Sequence, residues 1–240
     1  MNLPEAEQQL RDLLTHGLAH EIFFADEAKS LVAEIGKHAT SINHGGFGEF
    51  FGPLQVILSD RQTLHVVKLF EPPSRRYPTR SIPSVLVLLE QHASLWQVVQ
   101  PHVLHQLLEN AGWAKPDIIN LDNTSLTQAV ISHYRATIPS IDPVNNTPLS
   151  RAFRALREAR DKVIAHNEVI ERASRQPVTW EEAELLVDFA KDFVTIISFG
   201  YLGLDMGSSH ADYLVSFDAR KSARSLRQLL KAANIARAEQ

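Results

Sequence analysis

Apolar residues recur every three or four positions along most of the chain, a spacing typical of α-helices rather than of strands. This pattern predicts one or two helices over residues 3–37, one over 54–70, and one from 83 to about 108 that bends at Pro101. A further helix is predicted over residues 125–136. The sequence therefore predicts an all-α protein built as a helical bundle.

Capping residues mark the starts of two helices in the second half of the chain. Thr147 is suited to cap a helix whose first turn holds Pro148. In the segment TWEE, Thr179 and Glu182 fit the reciprocal capping box, and apolar positions follow at helical spacing to about residue 200. We therefore predict helices that begin near residues 148 and 180.

Two segments are predicted to be loops. The first, INHGGFGEFFGP at residues 42–53, lacks the Gly-Lys-Ser/Thr ending of a phosphate-binding loop and follows a helix, which argues against nucleotide binding. Its aromatic residues Phe47, Phe50 and Phe51 are expected to anchor it to the core. The second, EPPSRRYPTRSIP, is too rich in proline to be helical, and its arginines make it either a solvated connector or an exposed basic surface.

The composition changes after residue 205, where a short apolar run precedes a predicted basic amphipathic helix. We expect residues 1–205 to form one helical domain and residues 206–240 to form a C-terminal extension. The leucines on one side of the last helix favour docking onto the body of the protein over binding of RNA or of a protein partner. These residues are Leu226, Leu229 and Leu230.

The composition limits the possible function. Of the 240 residues, 44% are hydrophobic, and 24 Lys and Arg against 28 Asp and Glu give a net charge of −4, so any nucleic-acid contact needs a local basic patch. The lack of cysteine excludes disulfides and thiolate catalysis. The polar first residues and the short length of the longest apolar run, residues 193–204, argue against a signal peptide and a membrane span, so we expect a cytoplasmic protein.

The segment SRAFRALREARDKVIAHNEVIE, residues 150–171, places charged groups on an apolar helix face. At about 100° per residue, Arg160 lies in the middle of an apolar stripe. The stripe consists of Leu149, Phe153, Leu156, Val163 and Ile164. A guanidinium group there is costly to desolvate unless it is paired or faces a cleft or a subunit interface. Geometry alone leaves a structural salt bridge and a catalytic role equally open.

Histidine both accepts and donates protons near neutral pH, which makes His166 a candidate acid and base. In a regular helix, His166 would lie about 120° from Arg160, with Asp161 about 100° to the other side. One helix cannot easily aim all three groups at one atom. Two copies that cross at a two-fold axis place the groups of both chains around one cleft, so we expect a homodimer. We expect its interface to include the helix face that bears Leu156, Arg160 and Val163, because a single copy would leave Arg160 on an apolar stripe without a partner.

The remaining histidines and serines give only weak indications of catalysis. His16 and His20 are one helical turn apart, and His102 and His105 nearly so, but neither pair has a visible third metal ligand. The motifs HExxH and Gly-x-Ser-x-Gly are absent. We therefore expect neither a metal nor another cofactor.

The run RDKVIAH, residues 160–166, resembles the arginine, polar residue, spacer and histidine motif of HEPN domains. The sequence RDKVIAHNE is most similar to the abortive-infection U branch, a group of bacterial proteins tied to phage defence. The flanking segments also resemble this branch, and they occur in the same order along the chain. They are LQVILSDRQTLHVVKLFE, RSIPSVLVLLEQ and VTWEEAELLVDFAKDFV, so that the resemblance covers about residues 5–205.

The resemblance implies an antiparallel helical bundle that dimerises through the motif helices and, in active members, a metal-independent endoribonuclease. RNA carries its own nucleophile, the 2′-hydroxyl, so this chemistry needs no metal-bound water. The implied roles are proton transfer for His166, phosphate binding for Arg160 and orientation of either group for Asp161. We also expect RNA contacts from Arg154, Arg157 and Asn167.

The alternative is a binding module of the same fold that does not turn over RNA. In this interpretation the motif serves dimerisation or the docking of a partner such as an antitoxin. The complete set of Arg160, Asp161 and His166 favours the enzyme, so we expect a toxin or phage-defence effector that acts on RNA.

Overall fold

The computed structural model describes residues 2–74, 76, 78–113, 121–165, 179–206 and 214–235. The regular structure of these residues is entirely helical, which confirms the predicted all-α fold. No helix among them has the length and apolar character needed to cross a membrane. In chain order the α-helices are α1 (Leu3–Asp12), α2 (Ala19–Lys37), α3 (Ala39–His44), α4 (Gly48–Lys68), α5 (Ile82–Gln91), α6 (Pro101–Asn110), α7 (Asn123–Thr137), α8 (Pro148–Glu158), α9 (Trp180–Leu202) and α10 (Leu214–Ala232).

A π-helical turn, Leu13–Leu18, joins α1 to α2 without a break in the helical backbone. The prediction of one or two helices over residues 3–37 is therefore confirmed, with a wider turn near its first third. Gly17 in this turn lies so close to Arg80 that a Cβ atom at position 17 would clash with the Arg80 side chain. Arg80 also donates to Asp12 at 2.8 Å, so the loop before α5 is fastened to the end of α1.

The predicted glycine-rich loop over residues 42–53 is wrong, because most of that segment is helical. Only residues 45–47 separate α3 from α4, and Pro53 lies inside α4. Phe51 is buried, whereas Phe47 and Phe50 are exposed. Neighbouring residues point in different directions on a helix, so Phe50 and Phe51 cannot both face the core.

Two helices replace the single bent helix predicted from residue 83 to residue 108. Residues 92–100, between α5 and α6, are not helical, and Pro101 begins α6 instead of bending a longer helix. This link is held in place by the buried Trp96 and by a hydrogen bond of 2.9 Å from the Val99 amide to the Gly200 carbonyl. The link between α5 and α6 therefore packs against α9.

The main core lies around α9, whose Phe193, Val194 and Ile197 are fully buried. Its predicted start is confirmed, because Thr179 and Glu182 form the reciprocal capping box. The predicted helices over 125–136 and from 148 are also confirmed as α7 and α8. Both pack into the same core with α1 and α5.

A second, smaller core holds α10 against α2, α3 and α4. Leu230 is buried there and Leu226 packs at its edge, whereas Leu229 is exposed. The predicted docking of the last helix is thus confirmed for two of its three leucines. The division of the chain at residue 205 stays a prediction.

Candidate active site

Arg160 lies in a π-helical segment, Ala159–Ala165, that continues α8. π-helical turns are rare and frequently occur at functional sites. They are wider than α-helical turns, so the angles predicted from a regular helix do not hold beyond Glu158. His166 and Asn167 lie outside the described residues.

Two carboxylates of the same chain hold the guanidinium group of Arg160. Its Nε donates to Asp161 Oδ1 at 2.7 Å, and its Nη1 donates to Glu71 Oε1. Burial opposes the charge, but the bonds and charges of Asp161 and then of Glu71 raise the pKa of Arg160 above its ordinary value. The expectation that a single copy would leave Arg160 without a partner is therefore wrong.

The loop between α4 and α5, residues 69–81, places Glu71 beside the π-helical segment. The buried Ser81 donates to the Glu71 carbonyl at 2.6 Å, and the Ile82 amide donates to the Leu69 carbonyl at 2.8 Å. These bonds join the two ends of the loop and fix the backbone of Glu71. The sequence did not indicate this residue, because its partner lies 89 positions further along the chain.

Asp161 contacts two arginines at once. Its Oδ1 accepts the bond from Arg160, and its Oδ2 lies 3.5 Å from Arg157 Nε. Because Asp161 and Arg157 are both partly exposed, their pair adds no more than about 1 kcal/mol of stability. The main effect of Asp161 is to orient the two guanidinium groups. The structure thus brings together three of the predicted site residues, Arg157, Arg160 and Asp161.

A cleft of about 730 Å³ opens beside this cluster. Arg135, Arg157 and Arg160 line it, and Arg135 is held there by two hydrogen bonds to Glu90, at 2.7 and 2.8 Å. The exposed Pro72, Pro73 and Ile141 supply its apolar surface, with the buried rings of Phe70 and Phe153 behind them. The volume lies within the usual range of about 300–1,000 Å³ for ligand sites. The cleft thus offers cations for an anionic group and apolar surface for a ring.

Arg154 does not line this cleft. Its Nη1 donates to the carbonyls of Ser140, Asp142 and Asn145, at 3.4, 3.0 and 2.8 Å. Arg154 therefore holds the turn between α7 and α8, and its role in RNA binding stays a prediction. The same turn carries Ile141 at the rim of the cleft.

The histidine pairs considered as metal ligands lie elsewhere. His16 lies 3.2 Å from Asp12, and His20 lies 3.9 Å from Glu21. Within the part of the chain that the structure describes, no three His, Cys, Asp or Glu residues are grouped so as to hold a metal ion.

The family model HEPN_AbiU2, described as AbiU2, matches residues 7–223. This chain belongs to the HEPN_AbiU2 family. The membership confirms the resemblance to the abortive-infection U type and the HEPN-like helical bundle, and it supports an abortive-infection function in general. The match includes the motif at residues 160–166 and extends into α10. Searches of curated proteins and of solved structures gave no significant match.

Proposed function

We propose that this HEPN_AbiU2 protein is a metal-independent endoribonuclease that acts on cytoplasmic RNA as a toxin-like effector in abortive infection. The observation that carries the proposal is the position of Arg160, 19% exposed, at a cleft that Arg135 and Arg157 also line. The planar donors of arginine match the geometry of a phosphate group. The exposed Pro72, Pro73 and Ile141 offer apolar surface for a base beside it.

In the proposed mechanism, Arg160 binds the scissile phosphate and stabilises the charge that develops on it. The phosphate takes the place of Glu71, which is 35% exposed and leaves its partner with a smaller penalty than a buried carboxylate would. Asp161 keeps its bond to Nε and so preserves the orientation of the guanidinium group. Arg157 contacts a neighbouring part of the RNA.

His166 supplies the proton transfer in this proposal, as its place in the family motif suggests. The 2′-oxygen loses its proton and bonds to phosphorus, while the bond from phosphorus to the 5′-oxygen breaks and that oxygen gains a proton. The products are a 2′,3′-cyclic phosphate and a 5′-hydroxyl. Asn167, which follows the histidine in the sequence, also contacts the RNA.

A second copy of the chain completes the site in our proposal. Leu156, which was expected at the interface, is fully buried in the chain's own core. Ile141, which lines the cleft, is 56% exposed, and Val144, three residues further along the chain, is 88% exposed. The proposed interface therefore includes the turn between α7 and α8. Light scattering should show a wild-type dimer, a monomeric Val144→Asp variant and a dimeric Leu229→Asp control. A wild-type monomer at micromolar concentration would contradict the proposal.

One observation favours a second candidate function. The carboxylates of Glu71 and Asp161 already occupy Arg160, as expected of a HEPN-fold module that docks RNA or a partner such as an antitoxin without cleaving RNA. In that case the motif serves binding alone.

Incubation of the purified protein with total RNA in EDTA separates the two candidates. The endoribonuclease should remain active in the chelator and leave 2′,3′-cyclic phosphate ends, because no step uses a metal ion. The His166→Ala variant should lose activity by about a hundredfold or more, and a His16→Ala control should retain it. Activity that disappears in EDTA, or that is equal in wild type and His166→Ala, would rule out the proposed mechanism.

A further inference from the structure

A second cleft, of about 630 Å³, lies between α2, α9 and α10. Among the described residues, it shares none of its lining with the cleft at Arg160. Within the described part of the chain, six basic residues and four acidic residues line it. They are Lys29, Lys37, Lys191, Arg220, Arg224 and Arg227, with Asp26, Glu34, Glu184 and Asp188. The chain as a whole has a net charge of −4, so this excess of positive charge is a local property of the cleft.

One face of α10 supplies half of these cations. Its basic residues follow one another at intervals of four and three positions, which aligns them along one side of a helix. They are Arg220, Arg224, Arg227 and, beyond the cleft, Lys231. Another face of the same helix buries Ala219, Ala223 and Leu230. Docking of the apolar face therefore leaves the basic face along the cleft.

Buried polar contacts hold this wall of the cleft in place. Glu34 of α2 is 2% exposed and accepts two hydrogen bonds from Arg227, at 2.6 and 2.8 Å. Asp26 lies 2.9 Å from Lys191 Nζ and accepts a hydrogen bond from the Ser216 hydroxyl. These contacts fix α10 against α2 and α9, so the basic face is presented by a rigid element.

Arg224 and Phe217 form a combined cationic and aromatic surface at this cleft. The guanidinium carbon of Arg224 lies 4.9 Å from the centre of the Phe217 ring, and Phe217 is 55% exposed. Across the described ranges, no carboxylate pairs with Arg224, whose Nη2 lies 3.4 Å from the Phe217 carbonyl. Proteins that bind single-stranded nucleic acid combine cations for the phosphates with exposed aromatic rings for the bases.

We propose that this cleft binds single-stranded RNA, with Arg220 and Arg224 at successive phosphates and a base stacked on Phe217. Four residues, about 6 Å along the helix axis, separate the two arginines, a distance comparable to the spacing of phosphates in an extended strand. The basic face continues beyond the cleft to Lys231, which favours a strand over a compact anion. The inference concerns binding at a separate surface and does not require that the protein cleave RNA.

Fluorescence anisotropy with a labelled oligouridine tests this inference. A length of about 12 nucleotides lies within the range of site sizes known for single-strand binding proteins. The full chain carries His166→Ala in every sample, so that cleavage does not interfere. The double variant Arg220→Ala/Arg224→Ala should bind at least about tenfold more weakly, and its salt-dependence slope should fall by about 1.4 for two lost phosphate contacts. Phe217→Ala should weaken binding about tenfold with an unchanged slope.

Lys221→Ala is the matched control, because Lys221 lies on α10, pairs with Asp218 at 2.6 Å and does not line the cleft. It should bind RNA like the parent protein. Arg224→Gln keeps the side-chain stem and should reproduce the loss at an unchanged melting temperature. Equal weakening by Arg224→Gln and Lys221→Ala, or parental affinity in the double variant, would overturn the proposal. Polyglutamate that displaces the RNA at equal concentration would identify an acidic protein partner and would overturn it too.

Discussion

Arg227 and Glu34 join α10 to α2 through two hydrogen bonds of 2.6 and 2.8 Å, whereas Arg160 and Glu71 join a π-helical segment to a loop. Glu34 lines the second cleft but is almost completely buried between helices, whereas Glu71 is partly exposed on the loop at the first cleft. A carboxylate enclosed by two packed helices cannot exchange its partner without separating them. A partly exposed carboxylate on a loop can exchange its partner without such a separation. The surroundings of an arginine–glutamate pair, more than its geometry, therefore distinguish a structural pair from a candidate binding site.

The pKa shifts of the two pairs show the same difference between an enclosed pair and a pair at the first cleft. The hydrogen bond from Arg227 outweighs the effect of burial and lowers the pKa of Glu34 to about 2. At the other pair, burial is outweighed by Asp161 and Glu71, and the pKa of Arg160 rises. In the first pair, the surroundings stabilise the charged form of the enclosed carboxylate of Glu34. In the second pair, they stabilise the charged form of Arg160 beside the first cleft.

The largest expected difference between the pairs concerns RNA cleavage. Arg160→Ala should lower the cleavage rate by about 10²–10³-fold with little change in melting temperature, because it removes the group that stabilises the phosphate charge. At saturating RNA, Arg227→Ala should leave the rate per folded molecule unchanged, because Arg227 does not line the cleft at Arg160. Initial rates and thermal melts on both variants measure the difference. A loss of about 3 kcal/mol of stability in Arg160→Ala, with cleavage retained by the folded fraction, would make that pair structural.

The second difference concerns folding stability. Arg227→Ala should reduce the free energy of unfolding by about 2 kcal/mol, because it removes two charged hydrogen bonds and leaves the buried Glu34 with Lys37 and His38. Denaturant unfolding measures this loss. Lys221→Ala removes an exposed pair with Asp218 and should change stability by less than about 0.5 kcal/mol. Equal losses of unfolding free energy in the two variants would show that Arg227 has no structural role.

The third difference appears on acidification. The folded-state pKa of Glu34, about 2, lies below the ordinary value of 4.5, so its carboxylate contributes stability above pH 4.5 that is lost as the pH falls toward 2. Between pH 6 and pH 3 the wild type should therefore lose about 1–2 kcal/mol more stability than Glu34→Gln. Denaturant unfolding across this range measures it. Identical acid sensitivity of the two proteins would show that Glu34 does not carry this effect.

The smallest expected effect is at Glu71. Glu71→Gln should raise RNA affinity by about threefold to tenfold, because a neutral side chain competes less with phosphate for Arg160. The measurement is anisotropy with labelled RNA, with His166→Ala present to prevent cleavage. Glu158→Gln removes a charge that pairs with Lys162 on the exposed side and should change affinity less. Weaker RNA binding in Glu71→Gln than in the control would mean that Glu71 supports the site.

The sequence by itself determined the features that depend on residues within a turn or two of each other. Apolar spacing predicted most helices, and the hydroxyls of Thr147 and Thr179 marked the starts of α8 and α9. The same spacing identified Arg160 as a charged residue on an apolar face, and the short motif from Arg160 to His166 indicated the family that the comparison then confirmed. These signals are local, so they can be read without knowledge of the fold.

Only the tertiary structure decided what those residues contact. The choice of Glu71 as partner of Arg160, the wider π-helical turn that holds Arg160, and the break in the helix at Trp96 all depend on elements that meet far apart in sequence. The second cleft likewise exists because α10 docks through one face and leaves its basic face beside α2 and α9. Helical spacing predicts which residues share a face, but packing between helices decides which face is covered.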